Sequence, residues 1–161
     1  LPVTFYESTK DLPDFLDYSM ENRTYRYFRG VPQYAFGYGL SYTTFEVGKA
    51  KISKKSMKVD GSVTITVPVE NTGDREGTET IQVYVKALDY AEAPIKSLKG
   101  FQKINLKAGE KGKVEIVLDG ESFQYYDPSI DELSTRTGRY QILYGTSSLE
   151  KDLKSIDFVV K

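Results

Sequence analysis

From Thr44 onward, apolar and polar residues alternate. Val63, Ile65, Val67 and Val69 are separated by Thr64, Thr66 and Pro68, the period-two pattern of a strand with one buried face. Ile81, Val83 and Val85 alternate with Thr80, Gln82, Tyr84 and Lys86 to predict a second strand. Between them, Asn71-Thr72-Gly73-Asp74 has turn chemistry and predicts an antiparallel hairpin connection. Val114, Ile116 and Leu118 predict a third strand, entered through Lys107-Ala108-Gly109-Glu110. Tyr140, Ile142 and Tyr144, bracketed by Gly138 and Gly145, predict another, and Ile156, Phe158 and Val160 the last. The opening strand is less regular: Phe45 and Val47 share one parity, Ala50 and Ile52 the other. Gly48 sits at the slip, where a β-bulge would restore the inward face. Pro68 falls on an outward parity, and its missing N–H predicts an edge or a bulge beside it.

Before Thr44 the chain has another character. Leu12-Pro13-Asp14-Phe15, Asp17-Tyr18, Tyr25-Arg26-Tyr27-Phe28 and Phe36-Gly37-Tyr38-Gly39 are aromatic, loop-rich stretches without sustained periodicity. Only Leu1-Pro2-Val3-Thr4-Phe5-Tyr6 looks strand-like there. Six or seven short strands, turns about every 8–12 residues and no convincing helix predict an all-β, two-sheet sandwich. Its single core should be about 10 Å thick. The sandwich is expected over residues 44–161, behind an irregular extension over 1–43. Tyr140, following Gly138-Arg139, has two readings: a tyrosine corner whose hydroxyl bonds back to nearby backbone, or a plain core aromatic.

Composition narrows the chemistry. The 161 residues are 39% hydrophobic and 13% aromatic, enough for a packed core. The 22 basic and 23 acidic residues nearly cancel, which argues against a nucleic-acid or anionic-membrane surface. No apolar run approaches the roughly 20 residues a membrane span needs, and no targeting pattern opens the chain. The first residue is Leu1 rather than Met, so polypeptide is expected upstream. With no Cys and no His, thiolate chemistry, disulfides, Ser-His-Asp triads and the common zinc sites are excluded. No cofactor or metal site is expected.

The junction carries a resemblance. Leu1-Pro2-Val3-Thr4-Phe5-Tyr6, Leu12-Pro13, Arg23-Thr24-Tyr25-Arg26-Tyr27-Phe28 and Phe36-Gly37-Tyr38-Gly39-Leu40-Ser41-Tyr42-Thr43-Thr44-Phe45 follow in the order seen in family 3 glycoside hydrolases. They resemble the exit from that family's α/β sandwich domain into its C-terminal fibronectin type III-like domain. Downstream, the segment Val69 to Gly77, then Pro94 with Leu98-Lys99-Gly100-Phe101, then Tyr140 to Gly145 resemble its first hairpin, mid-domain strand and penultimate strand. Two residues depart from the pattern: Asn22 where Gly is expected before Arg23, and Ala35 where Pro usually precedes Phe36.

The resemblance implies a parent enzyme that removes β-linked sugars with retention of configuration, using two carboxyl groups about 5–5.5 Å apart. In the family both lie in upstream domains, so no catalytic residue is assigned to this chain. The resemblance also implies a periplasmic or extracellular protein, of β-xylosidase or β-glucosidase type, acting on plant polysaccharide fragments. Its partners would be the upstream domains, with polysaccharide oligomers or a second copy as further candidates.

Tyr18, Arg23, Tyr25, Arg26 and Tyr27 combine flat rings with guanidinium donors. They suit either sugar contact or, as the preferred reading, cementing the extension onto the domains it joins. Phe36, Gly37, Tyr38 and Gly39 are expected to be structural, the glycines permitting tight turns and close approach. Gly48 and Tyr140 are structural too. Asp14, Asp17 and Glu21, and Asp74, Glu76 and Glu79, are read as ordinary loop carboxylates. Calcium at Asp127, Asp131 and Glu132 matches no known loop spacing, and Asn22-Arg23-Thr24 is a formal glycosylation sequon. A carbohydrate-binding module would need a row of exposed rings, with Tyr84 and Tyr125 the first to check. A pure dimerisation domain is the third alternative.

Overall fold

A computed structural model describes residues 1–161. The strands are β1 (Phe45–Val47), β2 (Lys51–Ile52), β3 (Ser56–Met57), β4 (Ser62–Asn71), β5 (Gly77–Ala87) and β6 (Ser97–Leu106). They continue with β7 (Lys111–Asp119), β8 (Gln124–Asp127), β9 (Glu132–Thr135), β10 (Gly138–Gly145) and β11 (Leu153–Val160). In one sheet, β4 pairs antiparallel with β7 on one side and with β1 and then β2 on the other. The second sheet has the order β3-β11-β10-β5-β6, with only the β3–β11 pair parallel. A separate hairpin joins β8 and β9. The chain is an all-β sandwich, and its regular helix is a single turn, α1 (Thr24–Tyr27). No helix is long and apolar enough to cross a membrane.

The alternating residues face inward. Val63, Ile65, Val67 and Val69 from β4 share one buried cluster with Ile81, Val83 and Val85 from β5 and Ile142 and Tyr144 from β10. Phe123 closes one end, stacked on Phe158 at 5.3 Å and edge-on to Tyr140 at 5.3 Å. Between β1 and β2 the register slips: Val47 opposes Val69, whereas Lys51 opposes Thr66. Four steps on one strand thus match three on the other, the signature of a bulge. Gly48 sits there, its amide donating to the Pro68 carbonyl at 2.8 Å. A Cβ on Gly48 would lie 2.8 Å from Pro68 Cγ.

One connection differs from expectation. The Asn71-Thr72-Gly73-Asp74 turn does not close a hairpin: β4 belongs to the first sheet and β5 to the second. Alternation shows which face of a strand is buried, not which neighbour it pairs with. The strand-like opening also behaves differently, since Leu1 to Tyr6 forms only an isolated bridge between Phe5 and Tyr34.

Tyr140 is buried and its hydroxyl donates to the Arg136 carbonyl at 2.6 Å. Burial pushes its pKa up to about 12 and also raises those of Tyr84 and Tyr125. The unfolded chain therefore releases these tyrosyl protons first as pH rises. Stability from this source is intact below about pH 10 and disappears as pH climbs through about 12. Urea midpoints measured across that window should fall. Tyr140→Phe should lower stability at neutral pH by about 1 kcal/mol and make the alkaline fall shallower. An equally steep fall in the variant would remove Tyr140 from the account.

Candidate interface of the amino-terminal extension

Every residue from Ile81 to Val85 is buried. Half of that burial is the sandwich core; the other half comes from the extension lying across the outer face of the second sheet. Gln82 and Tyr84, on the outward parity, are sealed beneath it. Gln82 Nε2 donates to the Gly37 carbonyl at 3.1 Å and to the Thr146 carbonyl at 2.6 Å. The Tyr84 hydroxyl donates to Gln82 Oε1 at 2.5 Å. Gly37 holds φ +81°, a left-handed backbone that suits glycine. A Cβ there would come within 2.0 Å of Gln82 Oε1.

Aromatic rings complete the joint. Tyr25 stacks on Phe36 at 4.2 Å and meets Tyr84 edge-on at 5.8 Å. Its hydroxyl accepts from the Leu98 amide at 2.9 Å, and burial raises its pKa. Arg26 Nε donates to Ser97 Oγ at 3.2 Å, and the Arg26 carbonyl accepts the Ile95 amide at 2.7 Å. Ser148 donates its amide to the Phe36 carbonyl at 2.8 Å. At the last joint, Thr43 Oγ1 donates to the buried Asn71 at 2.7 Å.

The five ring and guanidinium candidates therefore do not form one surface. Tyr25 and Arg26 grip the sandwich. The Arg26 guanidinium also lies 5.8 Å from the centre of the half-buried Tyr27 ring. Arg23 donates to the carbonyls of Ser19, Asp14 and Asp17, bracing its own loop. Tyr18 is 88% exposed and has none of these partners. Tyr38 packs beside Tyr34 at 5.4 Å. Gly39 departs from the reading made for it: a Cβ there would meet nothing within 4 Å and its φ is not left-handed. Of these two glycines, only Gly37 makes a close approach.

Tyr84 and Tyr125 were the rings to check for a carbohydrate-binding face, and both are buried, at 0% and 3% exposure. Tyr84 reads as outward from its strand parity, but the extension covers it. Tyr125 lies beside Tyr90 at 5.7 Å. Asp127, Asp131 and Glu132, whose spacing matches no calcium loop, do not converge either. Asp127 accepts from the Ser129 amide and hydroxyl at 2.9 and 2.6 Å and pairs with Arg136 at 3.2 Å, while Asp131 accepts the Tyr126 hydroxyl. No group of three potential ligands is placed to hold a metal ion. Asp14 and Asp17 bind the amides of Leu16 and Ser19, each at 2.8 Å. Asp74 pairs with Arg75 at 3.2 Å, and Glu79, half-buried, accepts the Thr80 amide at 2.7 Å. Asn22 adopts φ +56°, the conformation for which asparagine is the usual substitute for glycine, and its side chain accepts the Arg29 amide at 3.1 Å. Gln82 carries no local sign of its role, because its partners Gly37 and Thr146 lie 45 and 64 residues away.

Residues 79–148 match the fibronectin type III-like domain family. The chain is 48% identical over 157 residues to a xylan 1,4-β-xylosidase from Xylanibacter ruminicola, an alignment covering 97% of this chain and 18% of that protein. It is 36% identical to a periplasmic β-glucosidase from Salmonella typhimurium, covering 92% of this chain and 21% of the relative. The chain carries a fibronectin type III-like domain of the kind found in glycoside hydrolase-like proteins. A β-glucosidase structure from Erythrobacter marinus superimposes with a TM-score of 0.79 at 29% identity, covering 98% of this chain and 21% of that one. The fibronectin type III-like fold extends beyond the matched stretch, because β1 to β4 and β11 flank it and complete both sheets. The chain spans about a fifth of the length of these relatives.

Proposed function

We propose that this region is the non-catalytic C-terminal domain of an exo-acting, retaining β-glycosidase of β-xylosidase or β-glucosidase type, and that it stabilises that enzyme. Residues 1–43 would be the exit from a preceding domain, with the sandwich beginning at Thr44. The observation that carries this reading is the extension, docked on the sandwich yet rich in exposed apolar residues. It is fixed to the sandwich through Tyr25, Arg26, Phe36 and Gly37. It also exposes Phe15, Leu16, Tyr18, Leu40 and Tyr42, the last two 89% and 93% exposed. Apolar exposure concentrated in one segment marks a covered surface, and the relatives are about five times longer than this chain. Most exposed rings lie on the extension, and the two on strands, Phe101 and Tyr126, belong to different sheets and form no row, which supports domain docking over carbohydrate binding. A periplasmic or extracellular location fits the periplasmic relative.

The test pairs the longer polypeptide with the 161-residue chain. Aryl β-xyloside or β-glucoside turnover is expected from the longer protein only. Leu40→Ser with Tyr42→Ser should lower its inactivation temperature while leaving the melting temperature of the isolated chain within about 2 °C, as for surface changes. Turnover by the isolated chain that survives further chromatography, or a longer protein indifferent to the double substitution, would reject the proposal.

A further inference from the structure

Beside the extension lies an open cavity of about 680 Å³ between residues 28–35, the end of β5 and the turn after β10. Arg29, Lys86, Lys96 and Lys151 line it, against a single carboxylate, Glu150. Some cations elsewhere are paired with carboxylates, as in Lys111–Glu70, Lys113–Glu115 and Arg139–Asp89. None of the four cavity cations is in a salt bridge. Lys86 and Lys96 are also half-buried, so their charge is partly desolvated. Burial, with Lys86 nearby, holds the Lys96 pKa below its ordinary value, while Glu150 pulls the other way. Uncompensated cations in a concavity focus a positive field that an anion would neutralise.

The remaining walls narrow the ligand. Phe28, Val31 and Ile95 give an apolar wall. The volume lies within the roughly 300–1,000 Å³ of small-molecule sites, and a simple inorganic anion would leave that wall wet. We infer that this cavity binds a carboxylate-bearing saccharide of one or two rings. The acid group would meet Lys86 and Lys96, and a ring C–H face the apolar wall. None of the five residues assigned above to domain docking lines this cavity.

Titration calorimetry on the 161-residue chain at low ionic strength, where charge pairing is least screened, tests the assignment with sodium glucuronate as the probe. Glucose and sodium acetate serve as controls. Glucuronate should bind at least tenfold more tightly than either. Lys86→Met with Lys96→Met should weaken glucuronate at least tenfold without lowering the melting temperature, because a partly desolvated repulsion is removed. Lys111→Met, on the other sheet, should change nothing. Absence of glucuronate binding, equal binding of acetate or glucose, or a double variant that binds like the parent would each overturn the inference.

Discussion

Gly37→Ala should loosen the extension from the sandwich and lower stability by about 3–4 kcal/mol, whereas Gly39→Ala two residues away should cost less than about 0.5 kcal/mol. The asymmetry follows from geometry. At Gly37 the new methyl meets a left-handed backbone and overlaps Gln82 Oε1 at 2.0 Å. Gln82 has little room to yield, since its amide holds the carbonyls of Gly37 and Thr146 and its oxygen takes the Tyr84 hydroxyl. Displacing it strands buried polar groups, each costing about 1–3 kcal/mol. For a chain of this size the melting temperature should drop by roughly 6–16 °C. Local opening should accompany the loss: limited proteolysis within residues 1–43 should quicken, and amide exchange at Gln82 and Tyr84 should rise more than at Ile65. If both alanine variants melt alike, the joint at Gly37 does not anchor the extension.

That joint also shows where sequence reading stops. Alternation identified the inward residues of β4, β5, β7, β10 and β11, because a half-buried strand leaves a period-two record of its own burial. The slip at Gly48 was legible for the same reason. Pairing was not: the turn after Asn71 carries the chain between sheets, and its residues suit a crossing as well as a hairpin. The edge strand β6 went unread from periodicity because Lys99 to Lys103 lies largely toward solvent and breaks step with β5 between Val83 and Tyr84. The short β8–β9 hairpin has too few residues to establish a period. In the extension, the ring and guanidinium composition identified the right segment, but which ring docks and which is exposed depends on Gln82, Tyr84 and Ser97. Those partners lie about 45–70 residues away and leave no local trace.

Asn71→Ala should be the most damaging single polar substitution in the domain, costing about 3 kcal/mol and roughly 6–12 °C in melting temperature. Asn71 is fully buried and uses both ends of its amide. Its Nδ2 donates to the carbonyls of Arg75 at 2.8 Å and Leu106 at 3.0 Å, and its Oδ1 accepts Thr43 Oγ1 at 2.7 Å and the Gly73 amide at 3.1 Å. One side chain thus ties the extension's last residues to the crossing between sheets and to the end of β6. Alanine would leave those groups without partners inside the fold. Thr43→Val removes one of the four bonds and should cost about 1 kcal/mol. Combining the two should cost less than their sum, since both break the same Thr43–Asn71 bond. Asn71→Asp separates shape from hydrogen bonding: a carboxylate would face two carbonyl oxygens, which raises its pKa in the folded state. That variant should be least impaired below about pH 4 and lose stability as pH rises from there, readable in urea midpoints at acid and neutral pH. Strict additivity of Thr43→Val with Asn71→Ala, or a pH-independent deficit in Asn71→Asp, would show that this amide does not couple the extension to the sandwich.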